Sequence, residues 1–177
     1  MNKLRNNEPV PPPSMALFFI LALLFALFDR LTKILAISYL RPLNSIVIVP
    51  DWLKLTYAEN LGIAFGVRFL PPQGLLLLTF AISAGVVFFV WKSKDRNLLF
   101  VTSFALILGG GIGNLIDRVV LGHVVDFIHF DLYEGVLFGR IVTLWPIFNV
   151  ADSCITIGAC MLLLLHERIF TPERPAA

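Results

Sequence analysis

Four long apolar stretches limit what this chain can become. They run from about Met15 to Leu40, Gly74 to Trp91, Leu98 to Val119 and Pro146 to Leu165. A hydrocarbon core roughly 30 Å thick is crossed by about 20 helical residues, so each stretch predicts a membrane-spanning helix. The composition agrees. The chain is 58% hydrophobic with only 15% charged residues, and its mean hydropathy is +0.84; a soluble domain carries about 25% charge. The expected fold is an integral membrane, mainly α protein with four transmembrane helices, in one domain over residues 1–177. A net charge of only +2 argues against a nucleic-acid partner.

The first stretch follows Lys3 and Arg5, as a secretory signal would. Its apolar run is too long for one and no small-residue cleavage site follows, so it reads as retained. Residues 1–14, with Pro9 and Pro11 to Pro13, read as a flexible cytoplasmic lead, and residues 166–177 as a cytoplasmic tail. Orientation comes from the basic residues. Lys3, Arg5, Lys92, Lys94, Arg96, Arg168 and Arg174 flank one side, against Arg41, Lys54, Arg68, Arg118 and Arg140 on the other. Lys92 to Arg96 fall in a very short connection, where the positive-inside rule is strongest, so both termini are expected in the cytoplasm. Ser45 to Tyr57, β-branched and aromatic around Pro50-Asp51, reads as an outer hairpin with Trp52 and Tyr57 at headgroup level.

Charged groups inside such spans are expensive, so each needs an explanation. Asp29 and Lys33 are four apart, acid first, the favourable order for an ion pair on one helix face. Their alternatives are a buried structural pair or a contact with substrate or lipid headgroup. The run Gly109 to Arg118 is not a phosphate loop, because it follows a membrane helix and lacks the Gly-Lys-Ser/Thr ending. Its glycines read as sites of close helix approach, and Asp117 as the charge partner of Arg118, with direct catalysis as its alternative. Pro146 suits the start of the fourth helix. That start puts Asp152 about 9 Å along the helix, with Asn149 on the same face as a hydrogen-bond donor. Asp126 and Asp152 have no lysine or arginine within four residues. Two such carboxyls at one low-dielectric surface share a proton and can activate water against a peptide bond; helix capping or proton relay are the open alternatives. His123, His129 and His166 lack metal-ligand spacing, and Cys154 and Cys160 are too far apart on one helix to bridge. No metal or cofactor is expected. Two other classes use the same ingredients: a small proton-coupled transporter, though no internal repeat is detectable, and a structural membrane subunit.

Five blocks in order resemble one family, the lipoprotein (type II) signal peptidases. They are Asp29-Arg-Leu-Thr-Lys33, Asn60-Leu-Gly-Ile-Ala-Phe-Gly66, Gly110-Gly-Ile-Gly-Asn-Leu-Ile-Asp-Arg118, Val124-Val-Asp-Phe127 and Phe148-Asn-Val-Ala-Asp152. The resemblance implies an aspartic endopeptidase with four transmembrane helices and a small extracytoplasmic β-cradle. Such an enzyme cuts prolipoproteins just before a cysteine that carries diacylglycerol. By matching position, Asp126 and Asp152 are the implied catalytic pair. Asn60, Gly62, Asn114, Asn149, Ala151, Asp29, Lys33, Asp117 and Arg118 are its implied binding or supporting residues. Implied partners are lipid-modified prolipoproteins and membrane lipids, for a monomer in the bacterial inner membrane with its site at the outer face. The lipidated end is expected near Trp52, Phe65 and Phe69. The segment from Phe127 to Phe148, with Asp131, Glu134 and Arg140, is longer than the family pattern suggests.

Overall fold

The structure, a computed structural model, describes residues 14–62, 70–93, 97–131, 134–137, 140–143 and 145–170. The proline-rich lead, Phe65 and Phe69, Lys94 to Arg96 and tail residues 171–177 lie outside the described residues, as do the side chains of Glu134 and Arg140.

Helix α1 spans Met15–Leu35 and continues as one π-helical segment, Ala36–Leu40. The Ser14 hydroxyl caps its start by accepting the N–H of Leu17 at 3.3 Å. Helix α2 spans Pro72–Lys92 and α3 spans Leu98–Val120. Asn97 joins two elements: its Oδ1 caps α3 on the Phe100 N–H at 2.8 Å, and its Nδ2 donates to the Arg168 carbonyl at 2.7 Å. Helix α4 spans Val150–Leu164 and is followed by a short helix α5, His166–Phe170. The first three helices are long and apolar enough to cross a membrane, whereas α4 has 15 residues.

Helix α3 is the axis of the bundle and packs on α1, α2 and α4. Its glycines allow this. A Cβ at Gly109 would lie 2.7 Å from the Ala22 carbonyl of α1, and one at Gly110 would collide with the Ala151 carbonyl of α4. Lipid gives helices no hydrophobic reason to associate, so backbone contact of this kind supplies the van der Waals attraction instead. The outer faces remain apolar and exposed, as at Leu23, Leu27, Phe80, Phe88 and Leu163, which suits hydrocarbon as solvent.

Strands β1 (Ser45–Val49) and β2 (Leu53–Asn60) form the hairpin expected around Pro50-Asp51, with Asp51 at φ 57° in the turn. Trp52 is exposed beside Phe130, ring centroids 5.8 Å apart. Strand β3 (Val124–Phe130) adds antiparallel to β2, giving a three-stranded sheet in the order β1-β2-β3. It pairs Ala58 with Asp126 and Asn60 with Val124. This third strand was not anticipated. The long segment after it carries a second hairpin, β4 (Glu134–Leu137) with β5 (Arg140–Thr143).

The start of the fourth helix is corrected. Pro146 is not its first residue, because Phe148 is claimed by the sheet: its carbonyl accepts from Phe127 at 3.0 Å and Ile128 at 2.8 Å, and its N–H donates to Ile128 at 3.0 Å. The helix begins one residue after the next capping side chain, Asn149.

Candidate active site

Asn149 and Asp152 form a reciprocal cap. The Asp152 N–H donates to Asn149 Oδ1 at 2.9 Å, and the Asn149 N–H donates to Asp152 Oδ2 at 3.3 Å. Such a box satisfies two N–H groups that a helix start otherwise leaves open. It also corrects the depth of Asp152, which sits in the first turn at the helix mouth instead of about 9 Å along it. Asp126 comes to the same place from β3, buried with 2% of its surface exposed.

Three asparagines hold the two carboxyls. Asn149 Nδ2 donates to Asp126 Oδ1 at 2.6 Å, and Asn60 Nδ2 to Asp126 Oδ2 at 2.9 Å. Asn114 Nδ2 donates to Asp152 Oδ1 at 2.8 Å, while its Oδ1 accepts from Asn149 Nδ2 at 3.2 Å. The Nδ2 of Asn149 thus donates to Asp126 instead of to the Asp152 carboxylate, while its Oδ1 stays on the Asp152 N–H. Amides suit this task because they donate and accept without adding charge.

Behind the carboxyls lies a buried ionic group. Lys33 Nζ meets Asp29 Oδ2 at 2.9 Å, Asp117 Oδ2 at 3.0 Å and Asn114 Oδ1 at 2.9 Å. The Asp29–Lys33 pair expected on one helix face is therefore present. Asp29 Oδ1 accepts the N–H of Ala151 at 2.8 Å, and Asp117 Oδ2 that of Val125 at 3.1 Å. Each buried carboxylate so clamps the backbone of the residue immediately before Asp152 or Asp126. The expected Asp117–Arg118 pairing is corrected. On a helix neighbours in sequence point apart, and Asp117 bonds Arg30 Nη1 at 2.9 Å as well as Lys33. Arg118 instead donates to the carbonyls of Asn114 at 3.3 Å and Gly62 at 3.2 Å. The Gly62 N–H donates to Asn60 Oδ1 at 2.9 Å, which orients the amide that serves Asp126. Arg30 had no role assigned from sequence; its one signal is a cation inside an apolar stretch beside Asp29.

Burial pushes the Asp126 carboxyl up to about 7, helped by the negative charge of Asp152 and opposed by the Asn60 and Asn149 hydrogen bonds and by Lys33. Such a group keeps its proton near neutral pH beside a second carboxyl, the arrangement that lets a pair act as acid and base together. Among the described residues no group of three or more His, Cys, Asp or Glu is placed to hold a metal. A cleft of about 640 Å³ opens at Asp152, with Asn60, Asn114 and Arg118 at its polar end and Val124, Phe148 and Ile155 among its apolar walls.

Comparison with known proteins agrees with this geometry. Residues 21–167 match the family model described as signal peptidase (SPase) II. The chain is 75% identical over 158 residues to the lipoprotein signal peptidase of Chlorobaculum tepidum, covering 89% of this chain and 98% of that one. It is 42% identical over 135 residues to the lipoprotein signal peptidase of Caldanaerobacter subterraneus, covering 76% and 84%. A solved bacterial membrane enzyme at 30% identity superposes with a TM-score of 0.74, covering 92% of this chain and 96% of the other. A family match across most of the chain, carried by one shared fold, means that this chain belongs to the signal peptidase II family.

Proposed function

We propose that Asp126 and Asp152 are the catalytic pair with which this lipoprotein signal peptidase removes signal peptides from prolipoproteins, and that its substrate is cut just before a diacylglyceryl-modified cysteine. The observation that carries the reading is the shared asparagine scaffold around two carboxyls, one of which burial pushes up to about 7. In this mechanism the pair holds one proton. The ionised carboxylate takes a proton from a water between the two, and the protonated carboxyl donates to the scissile carbonyl oxygen as the new C–O bond forms. The resulting diol collapses as the C–N bond breaks: one hydroxyl returns its proton to the carboxylate that had donated, and the proton taken from water passes to the leaving amine, which restores the singly protonated pair. The charge belongs to the pair, so neither residue is assigned one role alone. Asn149, Asn114 and Asn60 hold both carboxyls at hydrogen-bonding distance throughout, so little reorganisation accompanies the reaction.

The apolar lining of the cleft supports the lipid requirement. The cleft's apolar walls include Ile155 and Ile157 of α4, and each buried CH₂ of an acyl chain adds about 0.8 kcal/mol of membrane affinity. Those remote groups can fix the peptide bond against the pair. Two substrates identical except for the diacylglyceryl group test this: the lipidated one should be cleaved with far higher kcat/KM, and equal efficiency would make the lipid incidental.

The same reading puts both termini in the cytoplasm and the site at the outer face of the inner membrane. Membrane-impermeant thiol labelling of intact cells should modify Glu59→Cys and spare Ser93→Cys, in a background lacking Cys154 and Cys160. The reverse pattern would invert the topology.

A further inference from the structure

We infer that Arg30 is a positioning residue of the catalytic pair, acting through Asp117 to hold β3 and Lys33 in place and to complete the charge balance of the buried site. This rests on the reading of Asp126 and Asp152 as that pair. Asp117 is fully buried and has two cationic neighbours, Arg30 on Oδ1 at 2.9 Å and Lys33 on Oδ2 at 3.0 Å. An ammonium has three N–H donors, and Lys33 spends them on Asp29, Asp117 and Asn114. It has none left with which to cover Asp117 Oδ1. Only Arg30 does so among the described residues. Its side chain is 29% exposed, so the guanidinium reaches the carboxylate without full dehydration.

Two short paths run from Asp117 to the pair. One is the Val125 N–H, which sets the backbone immediately before Asp126. The other is Lys33 to Asn114 Oδ1, whose amide nitrogen holds Asp152. With Arg30 removed, an uncovered carboxylate draws Lys33 toward itself and away from Asn114, and both paths loosen.

Charge points the same way. The charged groups around the pair are Asp29 and Lys33 from α1 and Asp117 and Arg118 from α3, with Arg30 of α1 on Asp117. Glu59, opposite Val125 in the sheet, points to the other face and is exposed, with His123 beside it at 3.7 Å, so it stands outside this set. With one proton on the pair, Asp29, Asp117 and the pair's remaining charge are opposed by Arg30, Lys33 and Arg118. Loss of Arg30 leaves this low-dielectric site with a net negative charge, and nearby negative charge favours the protonated form of a carboxyl.

The test uses the purified full-length enzyme in lipid nanodiscs, a lipid-modified substrate, and kcat and KM measured across pH. Arg30→Gln should lower kcat by about ten- to a hundredfold, the scale set by a small misplacement of reacting groups, with KM little changed. Its alkaline limb should move to higher pH by roughly half to one unit. Arg30→Lys should return the limb to the wild-type position and recover most of kcat. A folded Arg30→Gln enzyme with an unmoved limb overturns the inference, since a purely structural role changes only the amount of folded protein. If Arg30→Gln does not fold, Arg30→Lys decides: a limb displaced despite the kept charge overturns it, and a wild-type limb supports it. Asp126→Asn in the same assay separates the two readings. Activity there sinks the pair itself, whereas an inactive Asp126→Asn with an unmoved Arg30→Gln limb sinks only the role of Arg30.

Discussion

Asp126→Asn should lower turnover by at least about a hundredfold while leaving the protein folded, and Asp152→Asn should do the same. One carboxyl cannot both take a proton from water and donate to the carbonyl. The asparagine at 126 keeps the side-chain shape but turns an N–H₂ toward Asn60 or Asn149, each of which donates to the native carboxyl. One hydrogen bond is therefore lost, an effect of about 1 kcal/mol. Against this, the variant no longer carries an ionisable group whose charged form is disfavoured by burial. In the wild type the Asp126 carboxyl rises from an ordinary 3.8 to about 7. Its contribution to stability is fully present below 3.8 and is lost as pH rises through 7, because the unfolded chain releases that proton first. Thermal unfolding should show the wild type losing stability across that window and Asp126→Asn losing less. Near-normal cleavage by either folded variant would remove that residue from the mechanism.

Replacement of Lys33 by methionine should be the most damaging single change to stability, about 3–5 kcal/mol, the range for breaking a buried ion pair from one side. Methionine matches the length and volume of the stem, so packing is nearly preserved. What is lost is the only fully buried cation among the described residues, in contact with two carboxylates. Asp29 and Asp117 then face each other in a buried, low-dielectric site, and Asn114 loses the donor that fixes its Oδ1. Lys33→Met should therefore melt on the order of 10 °C lower. Adding Asp29→Asn should recover part of the loss by removing one uncompensated charge. A melting temperature within a degree or two of wild type would mean that the carboxylates find other partners.

Much of this was legible along the chain because the forces concerned are local. Apolar run length located α1, α2 and α3, and the Pro50-Asp51 breaker located the first hairpin. The i,i+4 spacing of Asp29 and Lys33 gave their pairing, since a helix brings those positions together whatever surrounds it. The glycines before Asn114 announced close helix contact, although not that Gly110 meets the backbone of Ala151. The family blocks pointed to residues that the fold brings together, without their connections.

The connections came from packing. Asp117 stands next to Arg118 in sequence, yet its oxygens point to Arg30 and Lys33 on another helix, because side-chain direction on α3 is set by helical phase. Pro146 carries a sound helix-start signal, yet the sheet takes Phe148 first, and the helix waits for Asn149. β3 is a short run whose strand form depends on β2 being beside it, with Asp117 holding the Val125 N–H. Apolar length and local spacing decide which residues enter the membrane and which neighbours meet. Which carboxylate receives which donor is decided only when α1, α3, α4 and β3 converge, because a buried charge takes whatever partner the packed backbone brings within about 3 Å.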